Sequence, residues 1–208
     1  INYNFFNHTL NFKTMPAVDF NNNIYYSISN GKICRQYASP VEGSVARVNK
    51  NGRQVHEVFH SALSGKITDI STKDNEYGRF WYVELTGNEY LQFPYSSGYA
   101  DSFLKTLPNV DFESDVLLIP KIDIIGDKQR GTLFISQHGK GLKRHYTKET
   151  PNGIPELKKI KIKGKDQWDS SDILDFLENM VKETILPKLK KAEPVTAEAD
   201  GEDDSAPF

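Results

Sequence analysis

His56-Glu57-Val58-Phe59-His60 has the H-E-x-x-H spacing of zinc hydrolases. At positions i and i+4 of a helix, two imidazoles share one face and reach a single zinc, while the Glu acts as general base on a bound water. That chemistry depends on a helix. Here Asn51-Gly52, a hairpin signal, precedes the motif, and a β-compatible run carries it on to Gly65. On a strand the two His lie about 13 Å apart, at about 3.3 Å per residue, too far to share a metal. Leu63 also stands where the extended metzincin pattern has Gly. A zinc peptidase with Glu84 or Glu89 as third ligand is kept only as an alternative; no metal site and no cofactor are expected. Gly139-Lys140-Gly141 lacks the spacing and the Ser/Thr of a phosphate-binding loop, and no G-x-S-x-G is present. The single Cys34 excludes an internal disulfide and a Cys-based zinc site. The expectation is a protein that is not an enzyme.

The residues with a binding chemistry of their own are aromatic. In Arg79–Leu85, Trp81, Val83 and Leu85 alternate with Phe80, Tyr82 and Glu84. The set containing Glu84 is expected to face solvent, which leaves Phe80 and Tyr82 exposed. On the next strand Leu91 and Phe93 join the core set, while Tyr90 and Gln92 face outward. Three outward aromatics on neighbouring strands make a platform on which nucleic-acid bases stack. Phosphate contacts are expected from Lys66 and Arg79 beside the platform, Lys121 on a later strand, and Lys128 and Arg130 in the loop after it. Lys140, Lys143 and Arg144 lie in the basic stretch 137–146, which would close over a bound strand. Lys159 to Lys163 alternate with Ile as in a strand with one charged face, more simply a solvated edge.

These residues sit on a legible succession of elements. Residues 1–23 read as an irregular, Asn-rich arm. Asn30-Gly31 and Asn51-Gly52 mark two hairpins, Ile24–Ile28 with Lys32–Ala38 and Val45–Val48 with Arg53–Leu63. Gly65–Ser71, Arg79–Leu85 and Glu89–Tyr95 read as a meander of strands. A short helix at Ser102–Leu107 follows, then strands Val116–Ile125 and Thr132–Gln137 around a charged loop, Gly126–Gly131. Three strands, a helix and two strands is the order of an OB-fold, a five-stranded barrel that binds oligonucleotides. Residues 138–167 read as loop and hairpin. Apolar residues at Ile173, Phe176, Leu177, Met180, Val181 and Ile185 predict an amphipathic helix that Pro187 ends. The expected fold is mainly β. Its parts are an arm with hairpins (1–63), an OB-fold core (64–137), a basic segment with a C-terminal helix (138–191) and a disordered acidic tail (192–208).

Composition agrees with that division. The 208 residues carry a net charge of −2 from 26 basic and 28 acidic residues. Residues 192–208 hold six acids and no Lys or Arg, leaving 26 basic against 22 acidic residues, or +4, in the rest. A basic body with an acidic tail suits a nucleic-acid binder. No apolar run reaches bilayer-spanning length, and Ile1-Asn2-Tyr3-Asn4 has no signal-peptide character, so an intracellular protein trimmed of its initiator Met is expected.

The chain ends Gly201-Glu202-Asp203-Asp204-Ser205-Ala206-Pro207-Phe208. Solvated tails are depleted in aromatics, so a terminal Phe after a run of acids reads as an anchor for an apolar pocket rimmed by Lys and Arg. This ending resembles the C-terminal tip of bacterial single-stranded-DNA-binding proteins (SSB) and is similar to the acidic, Phe-terminated tails of some phage ssDNA-binding proteins. The match covers about eight residues, and Ser205 and Ala206 replace the third acid and the Ile of the usual tip. The resemblance implies a protein that coats single-stranded DNA in replication or recombination in a bacterial cytoplasm. Asp203, Asp204, Pro207 and Phe208 would recruit partner proteins and compete with DNA for a basic groove. An adaptor that binds protein rather than DNA, its tail only solubilising, is a second alternative.

Overall fold

The computed structural model describes residues 22–162 and 164–192. The chain is mainly β. Strands β1 (Ile24–Ser29) and β2 (Lys32–Tyr37) form the first hairpin, and β3 (Val45–Val48) and β4 (Gln54–His60) the second. Asn30 and Gly31 both adopt positive φ, 49° and 71°, as a type I′ turn requires. The segment β5 (Leu63–Gly65) runs on into β6 (Ile67–Asn75), followed by β7 (Gly78–Leu85) and β8 (Glu89–Pro94). Helix α1 (Gly98–Thr106) leads to β9 (Val116–Ile125) and β10 (Lys128–Gln137), and the two-residue β11 (Lys140–Gly141) follows.

Seven of these strands make one sheet in the order β3-β4-β2-β1-β8-β7-β6, and four make a second in the order β11-β10-β9-β5. The first hairpin is tied to the meander by a parallel ladder, with Tyr25 opposite Tyr90 and Ser27 opposite Gln92. The stretch 63–75 belongs to both sheets: β5 pairs antiparallel with β9, and β6 pairs with β7. The edge of β8 that would meet β10 in a closed barrel is occupied by β1, so hydrogen bonding does not close a barrel among the described residues. Hairpins and meander share one continuous sheet.

The core fills the space between the sheets. Trp81, Val83, Leu85, Leu91 and Phe93 from the first sheet meet Leu118, Leu133 and Ile135 from the second, and Phe103, Leu104 and Leu107 cap one end. Helix α1 begins before the expected Ser102, because Ser97 caps it by accepting the Ala100 N–H at 3.2 Å. Its first turn lies directly on β10, where a Cβ on Gly98 would stand 2.4 Å from the Gly131 carbonyl. The charged loop expected at 126–131 is a tight turn instead, with Ile125 paired to Lys128 and the ladder running through Arg130.

The C-terminal part holds an isolated hairpin, β12 (Lys158–Ile162) and β13 (Lys165–Asp169), and a long helix. The helix is α2 (Ser171–Met180), a π turn (Val181–Ile185) and α3 (Leu186–Ala192). Pro187 does not end it, contrary to the expectation from the sequence. The π turn has already shifted the hydrogen-bond ladder, so the missing Pro N–H falls at the start of α3, where it costs little. Leu177, Val181, Ile185 and Leu189, four residues apart, are buried against the body, with α3 on β6. No helix of the described residues is long and apolar enough to cross a membrane.

Candidate functional site

Register places Phe80, Tyr82 and Tyr90 on one face of the seven-stranded sheet. Tyr82 pairs with Gln92 and Ser71, Glu84 with Tyr90 and Asp69, and Phe80 with Lys73 and Pro94. All three rings are half-buried, whereas Trp81, Val83 and Leu85 between them are at most 1% exposed. The parallel ladder adds Tyr25 to this face. Its ring stacks on Tyr90, with centroids 5.1 Å apart and planes 23° from parallel. The Lys73 ammonium stands over the Tyr82 ring at 5.1 Å. Burial and the adjacent Glu84 carboxylate push the Tyr90 phenol upward, so its hydroxyl stays a neutral donor.

The face is concave. The tip of the second hairpin reaches the β6–β7 turn, where the Asn51 amide donates to the Tyr77 hydroxyl at 3.3 Å. This contact borders a groove of about 570 Å³ lined by Phe80, Ser27, Gln36, Arg47, Lys50 and Asn51 among others. The groove continues past Ser27, Cys34 and Gln36 to Gln92 and Tyr25. Arg47 is held on its wall by Glu57, through Nε at 2.9 Å and Nη2 at 2.5 Å, while Gln36 donates to the same carboxylate at 2.8 Å. The Arg47 hydrogen bonds, joined by that of Gln36, outweigh burial and hold the Glu57 carboxyl below its usual range. Cys34 touches the groove but is 2% exposed, and burial, followed by the nearby Glu57 carboxylate, raises its thiol to about 11. At neutral pH it is held as the thiol.

The expected phosphate contacts fall in different places. Lys66 is paired with Glu113 at 3.1 Å. Arg79 shares the parity of Trp81 and points away from the platform. It donates to Thr72 at 3.0 Å and to Glu178 of α2 at 2.8 Å, and lies over the Tyr95 ring at 4.4 Å. Arg79 is thus the clamp of the C-terminal helix. Lys121 is on the outer face of the second sheet, over the Phe134 ring at 5.6 Å. Lys128 and Arg130 are exposed at the tip of the β9–β10 hairpin, and Lys140 and Lys143 are exposed at and after β11. Arg144 is half-buried in a separate cavity beneath the β12–β13 hairpin. The groove wall instead offers Lys50 and the Glu57-paired Arg47, while Lys73 over Tyr82 and Tyr25 as a fourth ring share the sheet face; none of these is among the residues expected from the sequence. Register with Tyr90 was the only signal for Tyr25, and it depends on a ladder between strands more than 60 residues apart.

The H-E-x-x-H segment is strand β4, not helix. Glu57 faces the groove while His56 and His60 face the other way; His60 meets the Tyr26 ring edge-on with centroids 6.3 Å apart. Four strand steps, about 13 Å, separate the two His, so they cannot hold one zinc. Among the described residues no cluster of His, Cys, Asp or Glu is arranged to hold a metal. The tail residues Asp203, Asp204, Pro207 and Phe208 and residues 1–21 of the expected arm 1–23 lie outside the described residues.

Fold and groove together define a mainly β protein with an aromatic, concave sheet face. No protein family, curated protein or solved structure gives a match to the chain.

Proposed function

We propose that the protein binds single-stranded DNA without sequence preference, in replication or recombination, with the acidic tail recruiting partner proteins. The observation that carries this reading is the cluster of Phe80, Tyr82, Tyr90 and Tyr25 on one sheet face, beside a groove walled by Arg47 and Lys50. Stacking on such rings tolerates any base, because every base has a π-face. The order of the strands from Leu63 to Gln137 supports an OB-fold ancestry for the core. A first strand bent at Gly65–Lys66 serves two sheets, and a helix precedes the last two strands. On this view β1 has taken the edge where the barrel would close. The resemblance of the ending to SSB and phage tails adds a bacterial or phage setting and a role for Asp203, Asp204, Pro207 and Phe208.

Binding that rests on phosphates releases counterions, so affinity falls as salt rises. Electrophoretic mobility shifts with oligo(dT) at 50 and 200 mM salt are expected to show a marked loss of affinity at the higher value. A chain ending at residue 191 is expected to bind more tightly than the full chain, because an internal anionic competitor has gone. Affinity that ignores salt rejects the phosphate-based mechanism. Truncated and full chains that bind alike reject the competing tail.

A further inference from the structure

Positive charge is concentrated away from the aromatic face. Residues 138–169 contain nine Lys and Arg against four acids, a net of +5, whereas the whole chain up to residue 191 carries only +4. A polyanion lying on the sheet face alone would leave most of this charge unused. The segment includes the isolated hairpin β12–β13, and at its base stands Trp168, 61% exposed. Only one other tryptophan exists in the chain, Trp81, which is 1% exposed and stacked on Tyr95.

We infer that the β12–β13 hairpin is a second contact for single-stranded nucleic acid, with Trp168 stacking a base and Lys159, Lys161 and Arg144 meeting the flanking phosphates. The inference rests on the proposed function and extends it to a site on a different part of the fold. Register sets Lys159 opposite Trp168 and Lys161 opposite Asp166, so both lysines share the face of the indole. The Lys159 ammonium lies 4.8 Å from the ring centroid. A cation over one face of an exposed indole is attracted by the ring and leaves its charge free to pair with a phosphate. Trp168 also borders a cavity of about 870 Å³ between hairpin and body, whose lining includes Arg144, Lys105, Lys148, Tyr146 and Ile173. Lys105 is occupied by Asp101 at 2.6 Å, which leaves Arg144 and Lys148 as the cations facing that space. The hairpin is fixed to the helix by the Lys158–Asp172 ion pair, and Tyr146 packs edge-on against Phe176 at 5.4 Å. Trp168 is therefore presented from an anchored support.

The two tryptophans make the test direct. Full-length protein is titrated with oligo(dT) at low salt while tryptophan emission and mobility shift are followed in the same samples. Emission of the native chain is expected to quench as the complex forms, and W168F, which keeps a ring but only the buried Trp81, is expected to bind without quenching. W168A is expected to bind about tenfold more weakly, with unchanged circular dichroism, and K159A/K161A to show a shallower salt dependence. A shifted complex with unquenched native emission, together with full affinity in W168A, overturns the second contact and leaves the sheet-face reading standing. Absence of any shifted complex overturns both.

Discussion

Replacing Phe80 and Tyr82 together by alanine lowers affinity for oligo(dT) about a hundredfold, if each ring stacks one base at about 1–3 kcal/mol. The magnitude depends on the face being uncovered by the described elements. Both rings are half-buried by strand neighbours, Tyr82 lies beneath Lys73, and Phe80 is part of the groove wall. Their removal costs stability only modestly, because the buried face of β7 belongs to Trp81, Val83 and Leu85. Phe93→Ala is the natural control. That ring is 1% exposed and lies edge-on to Phe103 at 5.6 Å, so its loss costs about 3–5 kcal/mol of stability without touching the binding face. The two substitutions should separate cleanly in a mobility shift combined with a thermal melt. An F80A/Y82A protein that is folded and binds like the native chain would remove the sheet face from consideration.

Local chemistry was legible in the sequence, and long-range pairing was not. Asn30-Gly31 dictates its own turn because both residues tolerate positive φ, and the alternation along β7 separates buried from outward residues without reference to the rest of the chain. The same alternation places Arg79 with Trp81 rather than with Phe80. Its assignment to the platform came from adjacency in sequence, which is a poor guide on a strand, where neighbours point to opposite faces. The groove wall was hidden for a different reason. Arg47 and Lys50 reach Phe80 only because two hairpins extend the meander through the β1–β8 ladder and curl until Asn51 meets Tyr77. No local pattern encodes that. The H-E-x-x-H letters illustrate the converse: they carry meaning only on a helix, and the strand context from Asn51-Gly52 onward outweighs the match.

Glu178→Ala is expected to destabilise the fold by about 1–3 kcal/mol, the cost of losing the hydrogen bonds to a buried carboxylate. The Glu178 carboxylate is 9% exposed by side chain and accepts from Arg79 at 2.8 Å, Tyr95 at 2.6 Å and Lys182 at 2.7 Å. Its loss removes the partner of the Tyr95 hydroxyl and unties the Arg79 guanidinium, 38% exposed, where the C-terminal helix meets β7. Burial alone would raise this carboxyl, but the hydrogen bonds from Lys182, Tyr95 and Arg79 together overcome it and hold it below the ordinary Glu range. A group lowered on folding stabilises the native state above its unfolded value, near 4.5 here, and that contribution disappears as pH falls through the lower folded value. Glu178→Gln keeps the shape without the charge. The gap in Tm between native and Gln proteins should therefore be widest near pH 7 and narrow below about pH 4.5. Glu57 titrates equally in both proteins and cancels in the comparison. Since Glu178 and Arg79 lie on the face opposite Phe80, the Gln protein should bind oligo(dT) like the native chain wherever both are folded. Thermal melts from pH 3 to 7 decide the matter: a gap that does not vary with pH would mean that Glu178 holds the helix by packing rather than by charge.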